Sequence, residues 1–597
     1  MLFSTMTAAP DSSDRQSYLV RLLCASLLLV LSAINGRAQN WPQLGRTAQR
    51  TGDAAGISQH LRRVVGTVVV DPFADYATTV NGYLPVHYPV ILVDGRDLFV
   101  IEKGGSYTPW SHWDAITWSI KKVERNQDNQ LMPRWTTPTD WRPVPRLGPT
   151  GGPALEPPYQ CLLTVDFVWA PGSGGTMLKL SRADGSILER INPFGQTIDP
   201  SIFAVGSPAV DQSGNLFYNA IRLQTDAWKK DSAGSWLVRV SSTGVVSIVS
   251  FSTLMADAPD ATSLCTTTFD ISELPWPPSG DAAAPVQPCG SQRPPIKSGI
   301  AVGTDGTIYT LSRAHFNERW GYLVAITPDL TLKWHVSLRN RFTDGCDVSL
   351  PPNGTPGGCR DGARIGVEPA DNEFGSGIVD DDSTGLPVVA SDGRVLITVA
   401  TRYNYAGGHL MVFESDGGYV GAYPAGWDCT PAIYPHDGTY SIILKENHYG
   451  GIGSYCNEAG FCPSRLESQD PESPEVYYIT QLNRSLQVEW QFRNETTESC
   501  RRTNVGLQCS SDHPYGFHWC VSAPAVDRAG VVYANNEDGY LYAIAQGGRR
   551  SERVFLESSR GAAYTPISIG GDGLVYVMNS GAAFLIGDGG RRRSVKH

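Results

Sequence analysis

Ala523-Pro524-Ala525-Val526-Asp527-Arg528-Ala529-Gly530-Val531-Val532-Tyr533, followed by Gly539-Tyr540-Leu541-Tyr542-Ala543-Ile544, is the stretch whose reading decides the fold. A short apolar run, a Gly turn, a β-branched and aromatic run, a polar turn and a third alternating run succeed one another. That order spells strand, turn, strand, turn, strand in an antiparallel sheet. Weaker copies recur at 88–100, 152–180, 207–240, 299–334, 386–413, 430–490 and 565–586, which makes eight. The steps from Pro387 to Pro431 and from Pro524 to Pro566 are roughly 40 to 45 residues, the length of a four-stranded propeller blade. Insertions rich in Pro, Gly, Cys and charge lie near 255–297, 340–385 and 446–474, and belong in surface loops. A solenoid is the rival for any repeat array. Against it, the last copy ends in Gly587-Asp588-Gly589-Gly590 without an outer strand, while residues 63–70 read as a strand without a partner. Pairing the two closes a ring and removes an exposed edge. The expected fold is all-β: an eight-bladed propeller over 39–590, its last blade completed by an N-terminal strand.

Composition agrees. With 62 Gly, 41 Pro, 10% aromatic and only 18% charged residues, the chain suits short strands and tight turns, and suits neither a helical nor a disordered protein. A formal net charge of −11 speaks against a nucleic-acid partner. Arg591-Arg592-Arg593 and Lys596 make 591–597 a basic tail, either a solvated end or a docking patch. Arg15 and Arg21 precede an apolar run at 22–34, and Gly36-Arg37-Ala38 offers a small-residue cleavage point. Residues 1–38 therefore read as a signal peptide, with an uncleaved anchor as the alternative. No later segment is long and apolar enough to span a bilayer. The expectation is a secreted or periplasmic monomer.

Cysteine usage fits export. Cys24 lies inside the apolar run; Cys346 and Cys359, Cys456 and Cys462, and Cys500 and Cys509 read as local loop staples, and Cys265 with Cys289 as a longer one. Cys429 and Cys520 precede adjacent blades and form a further candidate pair, which leaves Cys161 as the odd thiol. A zinc site is the competing reading, but no CxxC pair occurs. Asn353-Gly354-Thr355, Asn483-Arg484-Ser485 and Asn494-Glu495-Thr496 fit the glycosylation acceptor pattern.

The segment from Trp41-Pro42 to Arg50-Thr51-Gly52, together with the repeated Pro-Ala-Val-Asp…Gly…Val-Tyr and Gly-Tyr-Leu-Tyr-Ala-Ile halves, resembles the quinoprotein-like propellers named after pyrroloquinoline quinone (PQQ) dehydrogenases. The resemblance covers nearly all of 39–590, and implies eight blades. It implies for catalytic members PQQ and calcium in the central channel, an adjacent Cys-Cys disulfide against the cofactor and an Asp base. This sequence has no adjacent Cys pair, and no catalytic residue is carried over. The implied likeness is closer to non-enzymatic members, which bind other proteins through propeller surfaces and loops.

In a propeller the segment before each innermost strand runs along the channel mouth. The richest such segment holds Asp512, His513, Tyr515, His518 and Trp519, able to bind a metal or stack a small ligand. Trp427 and Asp428 precede the neighbouring blade and join it as candidates. Asp371, Glu373, Asp380 and Asp381, with Glu368, lie in a Gly-rich loop of the kind that feeds calcium oxygen ligands, though without EF-hand spacing. Lys445-Glu446-Asn447-His448-Tyr449 mixes an acid, a base and a possible general base. The function expected is a binding or scaffold module acting on a protein or small ligand through the channel mouth and stapled loops. The alternatives are a PQQ-dependent dehydrogenase with a divergent site, and a hydrolase or lyase using His513 and His518.

Overall fold

The computed structural model describes residues 41–588 except 55, 109–112, 146–153, 225–229, 271, 273–277, 356–357, 450–474 and 562–563, and leaves the side chains of 114 and 551 undescribed. The expected signal peptide, the basic tail, Cys456 with Cys462 and most of the 446–474 insertion lie outside the described residues. Eight antiparallel sheets follow one another along the chain, six of them pairing four strands in sequence order. They are the blades of an eight-bladed propeller.

The seventh blade shows why the repeated phrase folds as it does. Ala525–Val526, Val532–Asn535, Tyr540–Ala545 and Arg549–Phe555 are its strands, inner to outer. Ala525 lies opposite Tyr533 and Val526 opposite Val532, so the turn between them is fixed in length. Asp527 caps that turn: its Oδ1 accepts from the amides of Ala529 and Val531 at 2.9 and 3.0 Å. Gly530 stands at φ 78°, and a Cβ there would meet the Tyr434 ring of the preceding blade at 2.5 Å. Glycine is required at that position both for its backbone angle and for the close approach. The apolar faces of neighbouring blades then pack into one large core that includes Trp41, Trp118 and Trp519, each almost fully buried.

Two sheets differ from the sequence reading. In the second blade the inner strand is Leu162–Leu163, about ten residues later than the copy read from Gly152. In the fourth blade Gln292–Arg293, assigned above to an insertion, pairs with Ile308–Ala314 and adds a fifth strand. Both are cases in which a stretch of only two residues in strand conformation is too short to carry a readable alternation.

The eighth blade consists of Ser568–Ile569, Val575–Asn579 and Ala582–Gly587, and Arg63–Val69 lies antiparallel against the last, with Thr67 opposite Phe584. Ahead of that strand the chain does something the repeats do not announce. Residues 41–54 and 56–59 cross one end of the channel and bond to the blades in their sequence order, at or just after each inner strand. Trp41 exchanges backbone hydrogen bonds with Val93, and Leu163 donates to Pro42. The Gln43 side chain bonds both ways with the Val210 backbone at 3.1 Å. Val302 donates to Ala48, Val389 to Gln49 and Ile433 to Thr51; Ala54 donates to Val526 and Gln59 to Gly573. At the centre of this plug Arg50 is fully buried and donates to the carbonyls of Leu44, Pro208 and Ile300 at 2.8, 2.6 and 2.8 Å. Gly45 makes the fold-back possible: at φ 65°, its Cβ would sit 2.7 Å from the Arg50 Cα.

The insertions form a stapled satellite beside the fourth and fifth blades. Cys346 bonds to Cys359 within a small core of Phe269, Leu350, Val367 and Tyr403, and Cys265 bonds to Cys289 against Ala314. The third described disulfide, Cys500–Cys509, crosses a hairpin of Glu498–Thr503 and Gly506–Ser511. Cys429 and Cys520 correct the expectation of a further pair: both are free and buried, as is Cys161. Cys429 packs among Val388, Leu410 and Ile442, whereas the Cys520 thiol donates to Glu537 at 3.0 Å. Their side chains serve different neighbours. Asn494 is likewise no open glycan acceptor, being buried with its amide on Asp538 at 3.0 Å.

Candidate functional site at the channel mouth

The loops that precede the inner strands converge at the end of the channel away from the plug. His87, ahead of Leu92–Asp94, is fully buried between two charges. Its Nε2 lies 3.0 Å from Asp428 Oδ2 and its Nδ1 3.0 Å from Lys297 Nζ. An ammonium can only donate, so Nδ1 accepts and Nε2–H points at the carboxylate. Burial and then the Lys297 charge hold the imidazole below its ordinary pKa, which keeps it neutral. Asp428 also accepts from the Thr384 amide and hydroxyl at 2.6 and 2.7 Å. Burial works against its charge, but His87 and these donors outweigh it and hold the carboxyl below the usual range. Lys297 completes the chain with Asp382 at 2.5 Å, and Asp382 accepts from the amides of Ala154 and Leu155.

Next to this chain Asp381 takes a two-pronged bond from Arg293 at 2.8 and 2.7 Å and a third contact from Arg313 at 3.1 Å. Burial raises its carboxyl, and the two guanidinium groups more than reverse that. Asp380 has no cation and goes the other way: burial, then Glu318 and Asp382, push it up to about 8.

One cation at the mouth is left over. Lys445, only 2% exposed, makes no hydrogen bond or ion pair among the described residues, and its charge helps hold Asp428 ionised. Its ammonium stands 5.0 Å from the centre of the Tyr564 ring, which in turn lies 4.8 Å from His87. Tyr564 holds φ 39°, a left-handed conformation that a bulky residue adopts only under constraint.

The residues singled out in the sequence fall into three places. Asp428 is in the mouth, and Trp427 next to it turns its carbonyl to Thr398 and Ser383. The run at 512–520 is divided. Asp512 and His513 lie at the outer rim, where Asp512 accepts from Ser499 Oγ and His513 bonds to Asp512 and Arg560, each at 2.6 or 2.7 Å, while stacking on Phe517. Asp512 is held down to about 2, burial being outweighed by the Ser499 and His513 bonds. Tyr515 is half-buried at the same bend, His518 meets the rings of Tyr449 and Tyr477, and Trp519 is a core residue against Tyr542. The acidic loop is also dispersed. Asp371 and Glu368 pair with Arg319, Glu373 with Arg339 and Asp381 with Arg293, so these carboxylates do not meet in one oxygen cage. Among the described residues one group has the spacing of a metal site, Glu498 with Cys500 and Cys509, and its thiols are joined as a disulfide.

His87, Lys297, Asp382 and Tyr564 were missed in the sequence. Each occupies the place in its repeat that Asp428 occupies in the sixth, a few residues before the inner strand, and aligning the copies on that strand is the signal that finds them.

No family model and no curated protein matches the chain. Among solved structures it is similar to a europium-containing methanol dehydrogenase, at 10% identity over 91% of this chain and 89% of that one, TM-score 0.49. It is similar also to a quinohemoprotein alcohol dehydrogenase from Comamonas testosteroni, at 11% identity over 94% and 82%, TM-score 0.49, and to BamB from Moraxella catarrhalis, at 9% over 80% and 93%, TM-score 0.31. At these scores it is the chain's own eight sheets that define it as an eight-bladed propeller, the architecture the sequence resemblance implied. The calcium implied for catalytic relatives does not fit the residues at the mouth. Calcium takes several carboxylate oxygens, and Asp381, Asp382 and Asp428 are each already bound to a cation or imidazole of the chain itself.

Proposed function

We propose that this chain is an exported, non-enzymatic binding module whose channel mouth takes a small anionic ligand on Lys445. The observation that carries the reading is the contrast between Lys445, buried without a hydrogen bond or ion pair among the described residues, and Asp380, Asp381, Asp382 and Asp428, each of which accepts from a donor of the chain. A buried ammonium is costly to leave uncompensated, and a ligand carboxylate or phosphate against it returns that cost as affinity. Tyr564 below the ammonium offers a flat face for a planar ligand. General acid–base work is disfavoured because His87 already makes a bond at each nitrogen. The three described disulfides support an oxidising compartment.

The test is calorimetry on the purified protein with small aromatic and aliphatic carboxylates and their uncharged amides. A carboxylate should bind at least tenfold more tightly than its amide, and Lys445→Gln should remove the difference. Stoichiometric uptake of PQQ with calcium, accompanied by quinone absorbance and dye reduction with alcohols, would replace this reading with the dehydrogenase one.

A further inference from the structure

A second site lies away from the mouth. The outer strands of the sixth and seventh blades, Val488–Arg493 and Arg549–Phe555, flank a cleft of about 750 Å³, within the size range of small-ligand sites. Residues three apart on a regular strand face opposite sides of the sheet. Here a bulge intervenes: Arg550 lies opposite Ile544 and Arg553 opposite Tyr542, with one extra residue between them on the outer strand. Ile544 and Tyr542 share a face, so Arg550 and Arg553 share it too, and both line the cleft. Arg493 faces them from the sixth blade.

Of these three, Arg553 is held in place, bonded to Thr496 Oγ1 at 3.2 Å with its guanidinium 4.2 Å from the Tyr540 ring centre. Arg493 and Arg550 are exposed and make no ion pair among the described residues, although Glu495 and Glu498 line the same cleft. The rest of the lining is the hydroxyls of Thr496 and Thr497, the amide of Gln491, Gly548 and the rings of Phe492 and Tyr542, of which Phe492 is the more exposed. Guanidinium forks match carboxylate and sulfate, while hydroxyls, amides and a ring suit the polar edge and apolar face of a sugar.

We propose that the cleft between the sixth and seventh blades binds an acidic saccharide through its carboxylate or sulfate groups, Arg550 and Arg553 forming the anion seat. The site is independent of the channel mouth. The lining favours a sugar over an acidic peptide, because the ligand meets side-chain hydroxyls and the Phe492 ring in a recess.

The test measures binding of an oligogalacturonate, a sulfated dextran oligomer, neutral dextran and an oligoglutamate peptide to the full-length protein at physiological salt. One of the two acidic saccharides should bind, and which of them does identifies the anion. Arg550→Gln combined with Arg553→Gln should weaken it tenfold or more, and Arg549→Gln combined with Arg528→Gln, an equal loss of charge elsewhere, less than twofold. In the unaltered protein the same saccharide should shield Arg550 and Arg553, not Arg549, from an arginine-modifying reagent; this readout stands even if the double variant fails to fold. Equal weakening by both double variants, equal binding of dextran or oligoglutamate, or no binding and no shielding by either acidic saccharide would overturn the proposal.

Discussion

At one end of the channel, residues 41–54 and 56–59 bond to the inner strands of seven blades and to the turn after the inner strand of the eighth; at the other, four separate loops meet through the side chains of His87, Lys297, Asp382 and Asp428. The plug is bonded mostly main chain to main chain, with Gly45 making the turn, Gln43 and Arg50 making the bonds no backbone group reaches, and Trp41 anchored in the core. The mouth depends on side-chain identity at every member, because each carboxylate or cation is satisfied by a particular partner. One end is built for closure, the other for recognition.

That difference sets the order of expected effects. Removing residues 41–69 takes away the plug and the outermost strand of the eighth blade together; circular dichroism and calorimetry should then show no cooperative unfolding transition. A truncated protein with an unchanged thermal midpoint would erase the distinction between the two ends. Replacing Arg50 by Met keeps the plug backbone but leaves three buried carbonyls without their donor, at about 1 kcal/mol or more each, and should cost about 3 kcal/mol or more in denaturant unfolding.

At the mouth, His87→Phe should cost less, since Asp428 keeps its two Thr384 bonds, and it should alter the pH profile. The folded protein holds His87 below its ordinary pKa, so between that lowered value and about 6.5 the unfolded chain binds the extra proton. Stability from neutral His87 is therefore present above about 6.5 and lost as the pH falls below it, and the variant should lack that loss. Asp380 carries the opposite sign. Its folded pKa is raised to about 8, so its contribution is fully present below about 4 and is lost as the pH rises through 8. Asp380→Asn should flatten thermal stability between pH 4 and 8; an unchanged slope would show that the group is not buried in its acid form. The smallest effect belongs to the rim. Asp512→Asn removes an exposed contact and should shift the thermal midpoint by no more than a degree or two, as screened surface pairs do.

Much of the fold is legible because a blade states itself locally. The turn at Asp527–Gly530 needs an acceptor side chain and a residue free to take positive φ, and Asp and Gly recur at those places. Where strands shrink to two residues, as at Leu162–Leu163 and Gln292–Arg293, the alternation vanishes and the reading slipped. The candidate site was legible in place but not in membership. The rule that ligand-facing residues precede the inner strands led to Asp428, whereas the rich run at 512–520 proved to divide between the rim and the core. Its aromatic residues are there to pack: Trp519 is fully buried, and His513 is spent on Asp512, Arg560 and Phe517.

By itself, then, the sequence determined the repeating unit, the number of blades and the loops that bear on the channel, since all three depend on short-range alternation and turn chemistry. Only the tertiary structure decided which charges meet. His87 and Asp428 stand 341 residues apart, Lys297 and His87 210 apart, and no local pattern encodes such pairs. Nor did the repeats reveal that the segment beginning Trp41-Pro42 spans the channel, because that path consists mostly of backbone bonds, which leave little mark on residue type.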